Sequence, residues 1–356
     1  MIPFAGVFFL LVVVVLALTG QPAAQTRTAA RPTPTPTLTP TPTPTPEEII
    51  KVETELVNLN VRVVDRNNRP IAGLRQNEFK VFEDGVSQRI EFFSQSEVPT
   101  NYSLVIDNSG SLRNQIDKVI EASKILVNGN RAKDETSVIR FVSSDKIEIV
   151  QDFTANKTDL NDALDNLYIE GGQTAIIDAV YLAANRISEY EKSTKNEDRT
   201  RRALILVSDG EDRDSFYKEA QLFELLRETD VQIYVVGFVS DLSRDPGFIS
   251  KSPQGKAKAF LERLATETGG KAYFPSNVGE LNSIAQDISS ELRTQYSIGY
   301  VPSNDRTDGT YRNIKVTLDD GPSKQKRIAI TRAGRTAESP NGTPSLKAAT
   351  PSVKQP

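Results

Sequence analysis

The 356-residue chain contains no cysteine and no histidine. Their absence excludes disulfides, thiolate zinc sites, haem held by His or Cys, and catalysis by Ser-His or Cys-His pairs. Any metal chemistry must use oxygen donors, which suit magnesium, calcium or manganese. No charge of one sign dominates: 43 Lys and Arg face 47 Asp and Glu, a net of −4. That balance gives no general attraction to nucleic acid or anionic lipid. Hydrophobic residues make up only 38%, which points to an ordinary core diluted by polar segments. A chain without cysteine suits either redox compartment, so composition does not locate the protein.

One long apolar run does locate it. Residues 7–18 read VFFLLVVVVLAL, a length that fits a signal-peptide core better than a membrane span of about 20 residues. No Lys or Arg precedes the run, and Pro22-Ala23-Ala24 offers only a loose cleavage site. Without a cysteine there, a lipoprotein anchor is excluded. Residues 1–24 are therefore read as a signal peptide or an N-terminal membrane anchor. The protein is then extracytoplasmic, either secreted or touching the membrane through this segment alone. Residues 25–48 form a linker containing RPTPTPTLTPTPTPTP. Proline favours an extended polyproline II spacer of about 3.1 Å per residue.

Residues 49–97 change character. VNLNVRVVD alternates apolar and polar residues with period two, as a half-buried strand does. A turn at Arg66 to Pro70 and a Glu-Asp-Gly turn separate further strands at Phe79 to Phe82 and at Gln88 to Phe92. From residue 100 to 294 the pattern becomes strand and helix in alternation. SLVI before Asp107 and ALILV before Ser208 read as buried parallel strands. Ser215 is placed to cap a helix through Leu226, and Gly269-Gly270 to stop another. The expected fold class is α/β: a doubly wound, mostly parallel sheet with helices on both faces. Residues 295–334 return to period two and are expected to pair with 49–97 as one β unit, into which the α/β domain is inserted. Residues 335–356 read as a disordered tail, its Ser/Pro/Thr/Lys character already setting in at Arg332.

Ligands in open α/β sheets sit beyond the carboxyl ends of the strands. After SLVI comes Asp107-Asn108-Ser109-Gly110-Ser111. After ALILV comes Ser208-Asp209-Gly210-Glu211-Asp212. Between them Gly171-Gly172-Gln173-Thr174 opens a helix. Each piece alone reads as an ordinary cap or turn. Together these residues resemble the von Willebrand factor type A domain and its metal-ion-dependent adhesion site. Asp107, Ser109 and Ser111 match its Asp-x-Ser-x-Ser, Thr174 its later Thr, and Asp209 its Asp after the fourth strand. The flanking β segments and N-terminus look like those of bacterial secreted proteins carrying such a domain.

The resemblance implies a non-enzymatic, Mg2+-dependent protein-binding module, with Mn2+ or Ca2+ as alternatives. The partner, a protein or matrix ligand, would complete the coordination shell with an acidic side chain. Neutral hydroxyls leave at most two formal negative charges, so the cation stays electrophilic. A helix beginning near Leu112 would point its positive end at the site, and the two aspartates would offset it. Gly110 would allow the close approach of the loop. Glu211, Asp212 and Asp214 read as a solvated acidic rim, and the loop at 239–253 as a determinant of specificity. Two other functions compete. A Mg2+-dependent phosphatase of the haloacid dehalogenase type would want an Asp where Ser109 stands. A structural scaffold would carry the donor set as a vestige. The sequons at Asn101, Asn156 and Asn341 carry little weight at this length.

Overall fold

Short apolar runs become strands, and longer runs with helical spacing become the helices that cover them. The computed structural model describes residues 56–95, 98–193, 200–242 and 252–337. The N-terminal apolar segment, the Pro/Thr linker, and the tail from 338 onward with its Asn341 sequon lie outside the described residues. So does the stretch 243–251 of the expected specificity loop. Among the described residues no helix is long and apolar enough to cross a membrane.

The chain starts with β1 (Val57–Val64), β2 (Phe79–Glu83), β3 (Val86–Gln88) and β4 (Ile90–Ser94). Next come β5 (Thr100–Asp107), α1 (Ile116–Asn128), β6 (Glu135–Phe141), β7 (Ile147–Thr154), α2 (Lys157–Asp165) and α3 (Ile176–Ser193). They are followed by β8 (Arg201–Ser208), α4 (Glu219–Glu228), β9 (Val231–Gly237), α5 (Pro253–Thr268), β10 (Ala272–Tyr273) and α6 (Leu281–Thr294). β11 (Tyr296–Tyr300), β12 (Tyr311–Leu318), β13 (Ile328–Ile330) and β14 (Gly334–Thr336) close the chain.

The central sheet has the order β10-β9-β8-β5-β6-β7, and only the hairpin strand β7 runs antiparallel. Every residue of β5 and β9 is buried, as expected of strands covered on both faces. Tyr102, Leu104 and Ile106 face α1, α2 and α6. Val105 and the alternate residues of β8 face α3, α4 and α5. The expected α/β sandwich is therefore the observed one. From β5 the chain winds first towards β6 and later towards β8. The crevice between β5 and β8 is thus the topological switch point, where such sheets bind ligands.

The flanking strands pair with one another. β1 lies between β11 and β13, β11 also pairs β4, and β12 pairs both β2 and β14. Two four-stranded antiparallel sheets result. They enclose a core containing Leu59, Val61, Phe79, Val81, Tyr296 and Ile298.

Five expectations need correction. Gln88 to Phe92 is not one strand: it divides at Arg89 into β3 and β4, which belong to different sheets. The chain beyond Arg332 is not all tail, because β14 pairs β12 and Arg335 and Ala337 are buried. Ser215 does not cap α4, which starts at Glu219, where the Lys218 N–H donates to Gln221 Oε1 at 2.9 Å. No α-helix begins at Leu112. Gly110–Leu112 is a single 3-10 turn, and α1 begins at Ile116. A helix dipole fades within its first turn, so the expected positive end starting at Leu112 is absent from the Asp-x-Ser-x-Ser loop. Nor is Gly110 needed for close approach, since a Cβ there would meet only the Gly171 Cα, at 4.0 Å.

Candidate metal centre

Asp107 is the last residue of β5, and Asp209 follows the last residue of β8. The strands are parallel neighbours, with Ile106 opposite Val207. Pairing thus brings the two aspartate loops together. The third loop is fastened to both. The Glu170 and Gly171 N–H groups donate to the Asn108 carbonyl at 3.1 and 3.4 Å, and the Asn108 amide donates to the Tyr168 carbonyl at 2.5 Å. The Arg213 and Asp214 N–H groups donate to the Thr174 carbonyl at 2.8 and 3.2 Å, and the Ala175 N–H donates to the Val142 carbonyl at 2.8 Å. Thr174 is thereby set by its own backbone between the ends of β5, β6 and β8.

The tight positions are Gly172 and Gly210, at φ 132° and 82°. A Cβ at Gly172 would lie 2.6 Å from Val142, and one at Gly210 would lie 2.7 Å from Leu261 of α5. Both conformations favour glycine.

Asp107 is fully buried. Its Oδ1 accepts the Ser109 N–H at 2.9 Å, and its Oδ2 accepts the Ser208 hydroxyl at 2.7 Å. Burial raises its pKa to about 6, and the Asp209 carboxylate pushes in the same direction against the hydrogen bonds from Ser109 and Ser208. Ser109, Thr174 and Asp209 are also buried, whereas Ser111 is exposed. Asp209 Oδ1 accepts the Glu211 N–H at 3.0 Å.

The donor set suits a divalent cation on two counts. First, the charge that acts most on the buried Asp107 among the described residues is another carboxylate, Asp209, a pairing that a cation would relieve. Second, the Ser109 and Ser111 hydroxyls are hydrogen-bonded to each other at 2.8 Å, a separation that two adjacent ligands of one cation could keep. Neighbouring ligands of an octahedral Mg2+ with bonds of 2.0–2.1 Å stand about 2.9 Å apart. Among the described residues no group of three or more His, Cys, Asp or Glu forms an acidic metal cage.

The acidic rim is solvated as expected, with Asp212 and Asp214 exposed, and it also ties neighbouring segments together. Asp212 Oδ1 accepts the Ile177 N–H at 3.2 Å and the Ser215 hydroxyl at 2.5 Å, and burial raises its pKa. Asp214 accepts the Ser144 N–H at 3.2 Å, and Glu211 pairs with Arg213. An open cavity of about 350 Å³ adjoins Gly210 and is lined by Ile177, Glu211, Asp212, Lys256 and Phe260 among others. The sequence pattern does not single out Ser208 and Asn108. Their importance lies in pairings across loops, for which the chain carries no local signal. The sequon at Asn101 lies buried in β5, and Asn156 caps α2 by accepting the Thr158 N–H.

Residues 103–287, more than half of the chain, match the family model for the von Willebrand factor type A domain. Human inter-alpha-trypsin inhibitor heavy chain H2 is 26% identical over 239 residues, which cover 64% of this chain and 23% of that protein. This chain thus spans about a quarter of its curated relative. Among solved structures, a von Willebrand factor type A protein from Catenulispora acidiphila is 13% identical, covering 80% of this chain and 75% of its own, with a TM-score of 0.44. Proximal thread matrix protein 1 from the mussel byssus, solved with a zinc-occupied MIDAS motif, is 17% identical, covering 56% of this chain and 49% of its own, with a TM-score of 0.45. By its family-model match, the chain belongs to the von Willebrand factor type A domain family.

Proposed function

We propose that this is an extracytoplasmic protein that binds a partner through a divalent cation. Asp107, Ser109, Ser111, Thr174 and Asp209 hold the ion, and an acidic side chain of a partner protein or matrix ligand completes its coordination. The observation that carries the reading is the buried Asp107 carboxylate, which feels the charge of Asp209 and among the described residues is held by the neutral donors of Ser109 and Ser208. A divalent cation would offset both charges and leave the metal electrophilic towards a third carboxylate. Hard oxygen donors favour Mg2+, with Mn2+ and Ca2+ as alternatives. In this reading residues 1–24 export or anchor the chain and 25–48 hold the folded part away from the membrane. Residues 100–294 form the binding domain, and the strands within 57–94 and 296–336 form its β support.

Calorimetry on the full chain with Mg2+, Mn2+ and Ca2+ tests the ion. Saturable heat with one site per chain is expected, and it should vanish in Asp107→Ala and Thr174→Ala. A phosphatase is disfavoured because Ser109 stands where the general acid would be. Mg2+-dependent hydrolysis of p-nitrophenyl phosphate, lost in Asp107→Ala, would reverse that preference.

A further inference from the structure

Resting on that reading of the donor set, we propose that Ser208 is a positioning residue. It fixes the Asp107 carboxylate and so sets how tightly the centre holds its cation. Ser208 and Asp107 are both fully buried, at adjacent strand ends. The Gly210 N–H donates to Ser208 Oγ at 3.1 Å, and Ser208 Oγ donates to Asp107 Oδ2 at 2.7 Å. A hydroxyl has one proton. With Gly210 donating into its lone pair, that proton is directed at Asp107. One hydrogen-bonded chain therefore runs from the backbone N–H just after Asp209 through a neutral hydroxyl to the carboxylate of Asp107.

The neutrality matters. Asp107 Oδ1 is held by a backbone N–H and Oδ2 by a hydroxyl. These two contacts fix the plane of the carboxylate while leaving each oxygen further acceptor capacity. A Lys or Arg in the place of Ser208 would hold the carboxylate as firmly but compete with the metal for its charge. The Ser109 side chain also bears on Asp107, but in this reading its hydroxyl and that of Ser111 belong to the donor set, which leaves Ser208 as the holder that is not itself a ligand. Groups that orient metal ligands through hydrogen bonds typically contribute about 10–100-fold to affinity.

The test is a Mn2+ titration of the full chain, with thermal melts of each protein in EDTA and in excess Mn2+. Ser208→Ala is expected to weaken Mn2+ binding by about 10–100-fold and to shrink the cation-induced rise in Tm, while its melt in EDTA stays close to wild type. Ser208→Thr keeps the hydroxyl and is expected to recover most of the affinity, which a merely space-filling role would not predict. If Ser208→Ala fails to fold, Ser208→Cys makes the same comparison with a weak donor of similar size. Mn2+ binding by Ser208→Ala (or Ser208→Cys) as tight as wild type would overturn the proposal. So would an equal loss in the alanine and threonine variants. Absence of Mn2+ and Mg2+ binding in wild type would instead overturn the reading of the donor set, and the role of Ser208 with it.

Discussion

The Asp107 carboxyl group carries the clearest consequence of burial for a single residue. Its folded pKa of about 6 lies above the ordinary 3.8. The folded state therefore holds this proton more tightly than the unfolded state does. Above pH 6 the ionised group destabilises the metal-free fold by about 3 kcal/mol, since each tenfold gain in proton affinity corresponds to roughly 1.36 kcal/mol. That penalty fades as pH falls through 6 and is gone below about 4, where both states are protonated. Asp107→Asn should therefore stabilise the metal-free protein at pH 7 by up to about 3 kcal/mol, with little effect at pH 4, and should abolish cation binding. Urea unfolding of both proteins in EDTA at the two pH values measures this. Equal stabilisation at pH 4 and 7 would remove the electrostatic explanation. Wild-type cation affinity should also weaken as pH falls below 6, because proton and metal compete for one carboxylate. The five proposed donors were legible in the sequence because together they resemble the family's Asp-x-Ser-x-Ser, Thr and Asp pattern, each piece of which alone reads as an ordinary cap or turn. Ser208 was not, because it becomes important only when β5 pairs with β8.

Elements position the centre through contacts that a linear pattern does not carry. α5 supplies Leu261, which packs against Gly210 and Gly237 at the ends of β8 and β9. Gly210→Ala would meet Leu261 Cδ1 at 2.7 Å with φ at 82°. The expected loss of stability is about 2–4 kcal/mol, combining overpacking with the left-handed backbone. Cation affinity should fall with it, because Asp209 is the adjacent residue in the chain. A Gly210→Ala/Leu261→Ala double variant removes the clash at the expense of a cavity. Affinity recovering in the double variant while stability does not would place the effect in that contact; recovery of neither would refute it. The strands and helices themselves were read well where apolar periodicity was long. Boundaries failed where tertiary pairing decides them. α1 starts late because the 3-10 turn at Gly110–Leu112 intervenes. β14 is a three-residue polar strand that exists because β12 offers it an edge.

At the scale of the whole molecule, the β sheets are joined to the α/β part through buried charge. Arg62 of β1 donates from Nη1 to both carboxylate oxygens of Glu291 on α6, at 2.6 and 2.7 Å, and Lys271 reaches the same Glu291 at 3.2 Å. The Arg201 guanidinium at the start of β8 donates to the Leu292 and Gln295 carbonyls at 2.8 Å each. Sequence predicted that the flanks would pair with each other, and they do. It held no sign of this junction, since Arg62 and Glu291 lie 229 residues apart. Removing one partner of a buried pair leaves an uncompensated charge, so Arg62→Ala should cost about 3–5 kcal/mol. Arg62→Met with Glu291→Leu should come much closer to wild type, because the desolvation cost leaves with the pair. The same junction predicts that residues 98–295, expressed alone, are less stable than within the full chain. The isolated segment lacks Arg62, so among the described residues Glu291 keeps Lys271 alone as its ion-pair partner. In the full chain the central sheet and the flanking sheets should melt in one cooperative transition, at a higher temperature than the isolated segment. Calorimetric scans of both proteins decide the matter. If the full chain shows two transitions, with the α/β part melting where it melts alone, the flanking sheets contribute nothing to the stability of the domain that carries the centre.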